Sequence, residues 1–421
     1  MPPVSLPLAE SPAGTGAPAP AAGSVDSFNV ADLPPARVDA LYVHVPFCFH
    51  KCHYCDFYSI TRQSEERMRR FVDRVLVEAA GWQSRSAGAP TVTPETIFFG
   101  GGTPSLLPLD QMERLLVGLR RVFDLSSVTE WTVEVNPATG RPDYCQMLRD
   151  HGVDRISMGA QSFDPAELKV LERHHCPDDV ERSVEIARAA GFRRINLDLI
   201  YAIPGQDLAS WDRSLAAALR LATSHLSCYG LTYEPNTPIA VRRRLGQLRG
   251  VVEEDAELQM LRHTRRVLTD AGLQAYEISN YAAPGEACRH NLLYWNGGNY
   301  LGLGPSAASH ILGWRWRNRP HLGEWEAAVD AGALPAIDVE HLTPRRRAGE
   351  LAMLQLRLTS GIDLADFSSR TGFDADSLYA DRLAHLQRLG LIERVGRSVR
   401  LTDSGLAVAD AVASEFLADI D

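Results

Sequence analysis

Between residues 40 and 231, short runs rich in Val, Ile, Phe and Leu alternate with longer segments of helical periodicity. The runs "LYVHV" (41–45), "TIFFG" (96–100), "WTVEV" (131–135), "RISMG" (155–159), "INLDLI" (195–200) and "LSCYGL" (226–231) read as strands. Between them, apolar residues recur at three- and four-residue intervals over about 64–81, 108–123, 141–151, 178–190 and 208–222, predicting helices. Six strand–helix units in succession favour a parallel sheet with right-handed crossovers. They are too few for an eight-fold barrel but enough for an open, partial one, with a doubly wound sheet as the alternative. In either arrangement chemistry gathers just past the strand ends. There this chain is polar or glycine-rich: a cysteine loop, "GGGTPS", "EVNP", "GAQSF" and "DLIYAIPGQ".

The rhythm lapses after about residue 272 into a glycine- and aromatic-rich stretch containing "CRHNLLYWNGG". From about 341 a mainly helical region follows, in which a helix, a glycine stop, two short strands around "GRS" and a last helix predict a winged-helix-like unit. Its arginines are balanced by neighbouring acids, and the whole chain carries a formal net charge of −10. Nucleic-acid binding held by electrostatics is therefore not expected. Residues 1–36 are mostly Ala, Pro, Gly and Ser and predict a disordered tail. This tail lacks the basic start and apolar segment of a signal peptide. No apolar run approaches the roughly 20 residues that span a bilayer. A cytoplasmic protein is expected, divided into a core over 37–272, an extension over 273–340 and a C-terminal unit over 341–421.

Three of the seven cysteines, Cys48, Cys52 and Cys55, fall within eight residues, and the other four are scattered. An odd count with one tight cluster suits a reducing compartment better than a disulfide framework. Structural zinc calls for four ligands, usually as two pairs, and no second pair follows. A cubane iron–sulfur cluster on three cysteines leaves one iron open to a small molecule.

Several loop residues invite a ligand and equally admit a structural role. Gly100, Gly101 and Gly102 let backbone approach a bound group, or simply form a tight turn, and Thr103 adds a hydroxyl. Glu134 and Asp198 lie in apolar strands, where a carboxylate needs a hydroxyl or an arginine. Gln161 and Arg173 can meet a ligand carboxylate or cap helices. Tyr42 can offer its hydroxyl to a ligand or serve as a core tyrosine.

The spacing C-x-x-x-C-x-x-C directly after a first strand, with Tyr54 before the last cysteine, resembles the radical S-adenosylmethionine (SAM) superfamily. That resemblance implies a [4Fe–4S] cluster whose open iron binds SAM. More closely, "YVHVPFC", "GGGTPS", "EVNP", "GAQSF", "DLIYAIPGQ", "HNLLYW" and "YLGLGPSAAS" are similar, in order, to the oxygen-independent coproporphyrinogen III oxidase family. The resemblance implies that Tyr42, Tyr54, Gly101, Gly102, Thr103, Glu134, Gln161, Arg173 and Asp198 lie around SAM.

Genuine coproporphyrinogen oxidases carry a further cysteine where this chain has Phe57. Asp56 and Phe57, and the missing folded N-terminal extension, resemble instead the heme chaperone (HemW) branch, which is implied to bind heme as cargo and pass it to acceptor proteins. Heme binding calls for an iron ligand or an apolar porphyrin pocket. His290 is the first candidate ligand, Cys288 a lesser one, and Arg289 a candidate for the propionates; a hydrogen-bonded loop histidine is the alternative reading of His290.

Overall fold

The computed structural model describes Phe28 and residues 33–61, 63–83 and 89–417; apart from Phe28 and residues 33–36, the tail expected over 1–36 lies outside them. Six parallel strands form its centre: β1 (Arg37–Val45), β2 (Thr91–Gly101), β3 (Glu130–Val135), β4 (Arg155–Gln161), β5 (Arg194–Tyr201) and β6 (His225–Gly230). They stand side by side in chain order. A doubly wound sheet would reverse direction at its middle, whereas an unbroken order places every right-handed crossover on one face. The expected open, partial barrel is thus the architecture observed.

The crossover helices are α1 (Glu65–Gln83), α2 (Leu109–Val122), α3 (Pro142–Asp150), α4 (Pro165–Val170), α5 (Pro177–Ala189) and α6 (Leu208–Arg220). After β6 come α7 (Pro238–Arg244) and α8 (Glu254–Asp270), which the sequence reading did not single out. Leu41, Val43, Ile97, Phe99, Trp131, Val133, Ile156 and Leu197 point to the helical side, where they bury against residues such as Phe71, Leu115, Val184 and Trp211. Each side chain so buried stabilises the fold by about 1.5–3 kcal/mol.

The other sheet face is polar, which is unusual for parallel strands. Alternation places Tyr42, His44, Thr132, Glu134, Ser157, Asn196, Asp198, His225 and Ser227 on it. Glu134, Ser157, Asn196 and His225 are successive cross-strand partners, so they form one layer. His225 is held within it by Asn196 Oδ1 at 2.6 Å and Tyr276 OH at 2.9 Å. Apart from Tyr42, which packs with Phe98 and Ala307, such a face is suited to surround a polar ligand.

Downstream strands extend both edges of the sheet. β7 (Gln274–Ala275) and β8 (Asn280–Ala282) add to β6, while α9 (Arg289–Trp295) crosses to β9 (Tyr300–Leu303), which pairs in parallel with β1. β10 (Ala308–Ile311), β11 (Trp314–Asn318) and β12 (Ala336–His341) continue antiparallel beyond it, with α10 (Leu322–Asp330) between the last two.

A separate apolar cluster organises the C-terminal unit, from Ala348 and Leu351 to Val412 and Phe416. Its elements are α11 (Pro344–Leu356), β13 (Ile362–Asp363), α12 (Leu364–Thr371), α13 (Ala375–Leu378), α14 (Ala380–Arg388), β14 (Ile392–Val395), β15 (Ser398–Leu401), α15 (Asp403–Leu406) and α16 (Ala409–Ser414). The hairpin β14–β15 turns at Gly396, whose φ of +60° favours glycine, and forms the expected wing.

Candidate functional site

β1 ends at Val45 and the chain enters a loop that closes on itself. Cys48 N–H donates to Ile60 O at 3.0 Å, and Ile60 N–H to Pro46 O at 2.8 Å. The neighbouring turn after β2 is stitched to the same loop, since Gly102 N–H donates to Val45 O and Thr103 N–H to Phe47 O at 2.8 and 2.7 Å. These bonds fix the glycine turn against the cysteine loop and leave no room for a side chain. A Cβ on Gly102 would stand 2.7 Å from both Val45 O and Phe47 O; one on Gly101, whose φ is +101°, would meet the His44 ring. We therefore expect Gly102→Ala to destabilise the protein by about 1–3 kcal/mol and to loosen the cysteine loop. Denaturant unfolding checks the first effect and faster proteolysis within residues 48–60 the second.

Each thiol of the loop meets a hydrogen-bond donor. Thr103 Oγ1 donates to Cys48 Sγ at 3.7 Å and Arg173 Nη1 to Cys52 Sγ at 3.6 Å. The main-chain N–H of Phe57 serves Cys55. Burial pushes the Cys48 thiol up, and Cys55 up to about 12, with the neighbouring cysteines adding to the rise. Cys55 N–H donates to Cys52 O at 3.2 Å, which folds the last two cysteines into one turn. Among the described residues no three His, Cys, Asp or Glu side chains converge on a point that could hold a single metal ion. A cubane does not ask for such convergence, because its three thiolates bind three different irons. A donor on each sulfur is the arrangement that steadies a thiolate ligand and tunes a cluster's potential.

The other candidates line the polar chamber beside the loop. Arg173 Nη2 donates to Gly159 O at 2.7 Å, and its buried Nε has no partner among the described residues. Tyr54 is half-buried, and Arg173, Cys52, Cys55 and Asp198 all act on its hydroxyl. Burial raises the Glu134 carboxyl pKa; the Asp198 carboxylate adds to the rise and the Gly101 N–H opposes it. Asp198 accepts from Asn196 Nδ2 at 2.9 Å and Ser157 Oγ at 3.4 Å. Gln161 ends β4 in the left-handed region with φ of +64°, at a register irregularity between β4 and β5. Strain of that kind is held where a side chain must be aimed. Tyr42 donates its hydroxyl to His44 Nδ1 at 3.2 Å, while His44 Nε2–H donates to Tyr58 O at 2.9 Å. Burial holds the His44 pKa down at about 4, so the ring is neutral. Two carboxylates on one polar sheet face, with an arginine whose buried Nε has no partner among the described residues, fit a zwitterionic amino acid joined to a ribose.

His290 lies elsewhere. Its Nδ1 bonds Thr96 Oγ1 at 2.8 Å and its Nε2 bonds Tyr294 OH at 2.9 Å, with the side chain only 2% exposed. Phe98 touches both rings, stacked on Tyr42 with centroids 6.3 Å apart and tilted against His290 at 5.4 Å. Cys288 is buried and donates to Glu130, and Arg289 Nη1 reaches Thr129 O at 3.4 Å. The sequence reading did not single out His44, Ser157, Asn196 or His225, although strict alternation along the apolar strands marks all four.

Residues 42–218 match the model of the Radical SAM superfamily and residues 342–408 that of the HemN C-terminal domain. The chain is 32% identical over 383 residues to the heme chaperone HemW of Lactococcus lactis, covering 91% of this chain and 98% of the relative. The HemW of Bacillus subtilis is 33% identical over 382 residues, covering 90% and 99%. That of Mycobacterium tuberculosis is 34% identical over 388 residues, covering 91% and 96%. Among solved structures, coproporphyrinogen III oxidase (HemN) from Escherichia coli superposes with a TM-score of 0.79 over 92% of this chain and 91% of its own, at 23% identity. The fold is therefore that of a radical SAM protein with a HemN-type C-terminal domain, and by its full-length likeness to these relatives the chain belongs to the HemW family.

Proposed function

We propose that this protein carries heme to acceptor proteins, with a [4Fe–4S] cluster on Cys48, Cys52 and Cys55 and SAM in the adjoining polar chamber. The observation that carries the reading is Phe57. Its half-buried ring stands two positions after Cys55, where a thiol would be needed for a further sulfur ligand, proton donor or relay. Relatives that bear the heme chaperone name, and that match over nearly the whole length, support the same reading. In this reading residues 37–272 form the cluster and SAM core, 273–340 the extension and 341–421 the C-terminal unit.

When bound, the cluster supplies one-electron chemistry and an open iron for an amino acid's donor groups. The chain's own residues do the rest. Thr103, Arg173 and the Phe57 N–H hold charge on the three sulfurs, and Glu134 and Asp198 offer acceptors to ribose hydroxyls. The Arg173 guanidinium receives a carboxylate, the left-handed turn at Gln161 aims its amide into the chamber, and Tyr54 closes the wall and excludes water.

Titrating the purified, anaerobic protein with hemin tests the proposal. A Soret shift saturating near one heme per chain is expected, together with no divinyl porphyrin product from coproporphyrinogen III, SAM and reductant. An unshifted Soret band, or a divinyl product, would sink it.

A further inference from the structure

The outer wall of the cysteine loop carries a cluster of imidazoles that the cofactor chamber does not use. His50 Nε2 and His53 Nε2 lie 3.1 and 3.0 Å from the same carboxylate oxygen, Glu172 Oε2. The His174 ring stands edge-on to His50 with centroids 4.4 Å apart. Glu172 is held in the left-handed region at φ of +53°, a conformation that costs a non-glycine residue energy and persists only where its surroundings impose it. A carboxylate that accepts an Nε2–H fixes the tautomer with the Nδ1 lone pair outward, the usual orientation of an imidazole that ligates a metal. His53 Nδ1 is buried without a partner among the described residues. The His50 side chain is 35% exposed and His174 is exposed.

The surroundings of these rings suit a flat, dianionic ligand. Phe49, between Cys48 and His50, is 76% exposed, the most exposed large apolar side chain among the described residues. Lys51 is also exposed. The carbonyl of His53 accepts Ile239 N–H at 3.1 Å, which ties the loop to α7, whose last turn bears Arg242, Arg243 and Arg244. Those cations stand out in a chain of net charge −10.

We propose that heme docks on this outer wall. An imidazole of the His50–His174 pair ligates the iron, Phe49 covers one porphyrin face, and Lys51 with the α7 arginines meets the propionates. The inference rests on the function proposed above and concerns where cargo sits. Neutral imidazole is a good heme ligand, and an aromatic face with guanidinium or ammonium partners is what a porphyrin dicarboxylate calls for. A carrier must also release its cargo. A ligand at the rim can be exchanged by an approaching protein, whereas His290 would have to give up two hydrogen bonds inside a packed helix first.

The test uses the full chain with its reconstituted cluster and hemin as the probe. Replacing both His50 and His174 by alanine is expected to weaken hemin binding roughly tenfold or more and to return the Soret band toward that of free hemin. Added imidazole should restore the band, and unchanged iron and sulfide content shows that the loop still folds. His290→Gln should leave the Soret position of the native complex unchanged. A double variant with native affinity and spectrum overturns the inference, as does loss of binding confined to His290→Gln; in both results the native chain still binds heme and the proposed function stands. If the double alanine variant also loses its cluster, a His50→Gln, His174→Gln double variant decides, and native affinity and spectrum in it count against the site. A native chain that binds no hemin removes the proposed function and this site together.

Discussion

Replacing Cys52 by alanine should abolish the cluster: anaerobic reconstitution is expected to leave less than about a tenth of the native iron and sulfide per chain, with the visible charge-transfer absorption gone. Three protein thiolates are the minimum that holds a cubane with one open iron, so no ligand can be spared. Neighbouring thiols offer no substitute, because Cys145, Cys228 and Cys288 are buried away from the loop and Cys176 bonds Asp179. Arg173→Ala provides the graded comparison. It removes the donor to Cys52 Sγ and leaves the three ligands in place, so the cluster should assemble with a shifted potential and weaker SAM binding. Iron and sulfide assays with the visible spectrum check the first result; a redox titration with a SAM binding curve checks the second. A Cys52→Ala protein that assembled a native cluster would show that these sulfurs are not its ligands.

Most of the barrel was legible because its outward face obeys a simple rule. Leu41, Val43, Ile195 and Leu197 alternate with Tyr or polar residues, and the predicted strand limits differ from those observed by a few residues at most, the largest difference being the five residues by which β2 starts before Thr96. What stayed hidden depends on partners far away in the chain. β9 pairs in parallel with β1 across some 260 positions, and nothing in "YLGL" says which edge it will join. α8 begins "EDAEL", whose acids mask the stripe of Met260, Thr264 and Leu268 that buries it. At the site, cysteine spacing and glycine runs are local signals and were visible. His44 reads as an ordinary strand residue until Tyr42 and the Tyr58 carbonyl close on it, and the Glu172 carboxylate meets His50 and His53 only once the chain has folded.

The same dependence on distant partners makes Glu130 the residue whose loss should cost the most stability. Its carboxylate is fully buried, 0% exposed, at the start of β3. Arg194 Nη2 donates to it at 2.7 Å, and the main-chain N–H groups of Arg289 and His290 each donate at 2.9 Å. One side chain therefore pairs with a half-buried arginine and satisfies the first N–H groups of α9, which no turn of that helix can serve. Burial alone would raise its pKa, but Arg155, Arg194 and those two N–H groups outweigh it and hold the carboxyl below the usual carboxylate range. Glu130→Ala takes from the buried Arg155 the carboxylate that acts on it, while Arg194 keeps Asp154 and Glu286, each at 3.0 Å; with two helix N–H groups also left unserved, it should destabilise the protein by about 3–5 kcal/mol in urea unfolding at neutral pH. Since the folded pKa is depressed, the native stabilisation is present above the unfolded carboxylate value of about 4.3 and is lost as pH falls through the lower folded value. The gap between native and Glu130→Ala stabilities should accordingly narrow below about pH 4. Glu130→Gln keeps an acceptor for the α9 N–H groups and loses the charge, so it separates the two roles. A Gln variant nearly as stable as native would assign the effect to helix capping, and one as weak as alanine would assign it to the arginines.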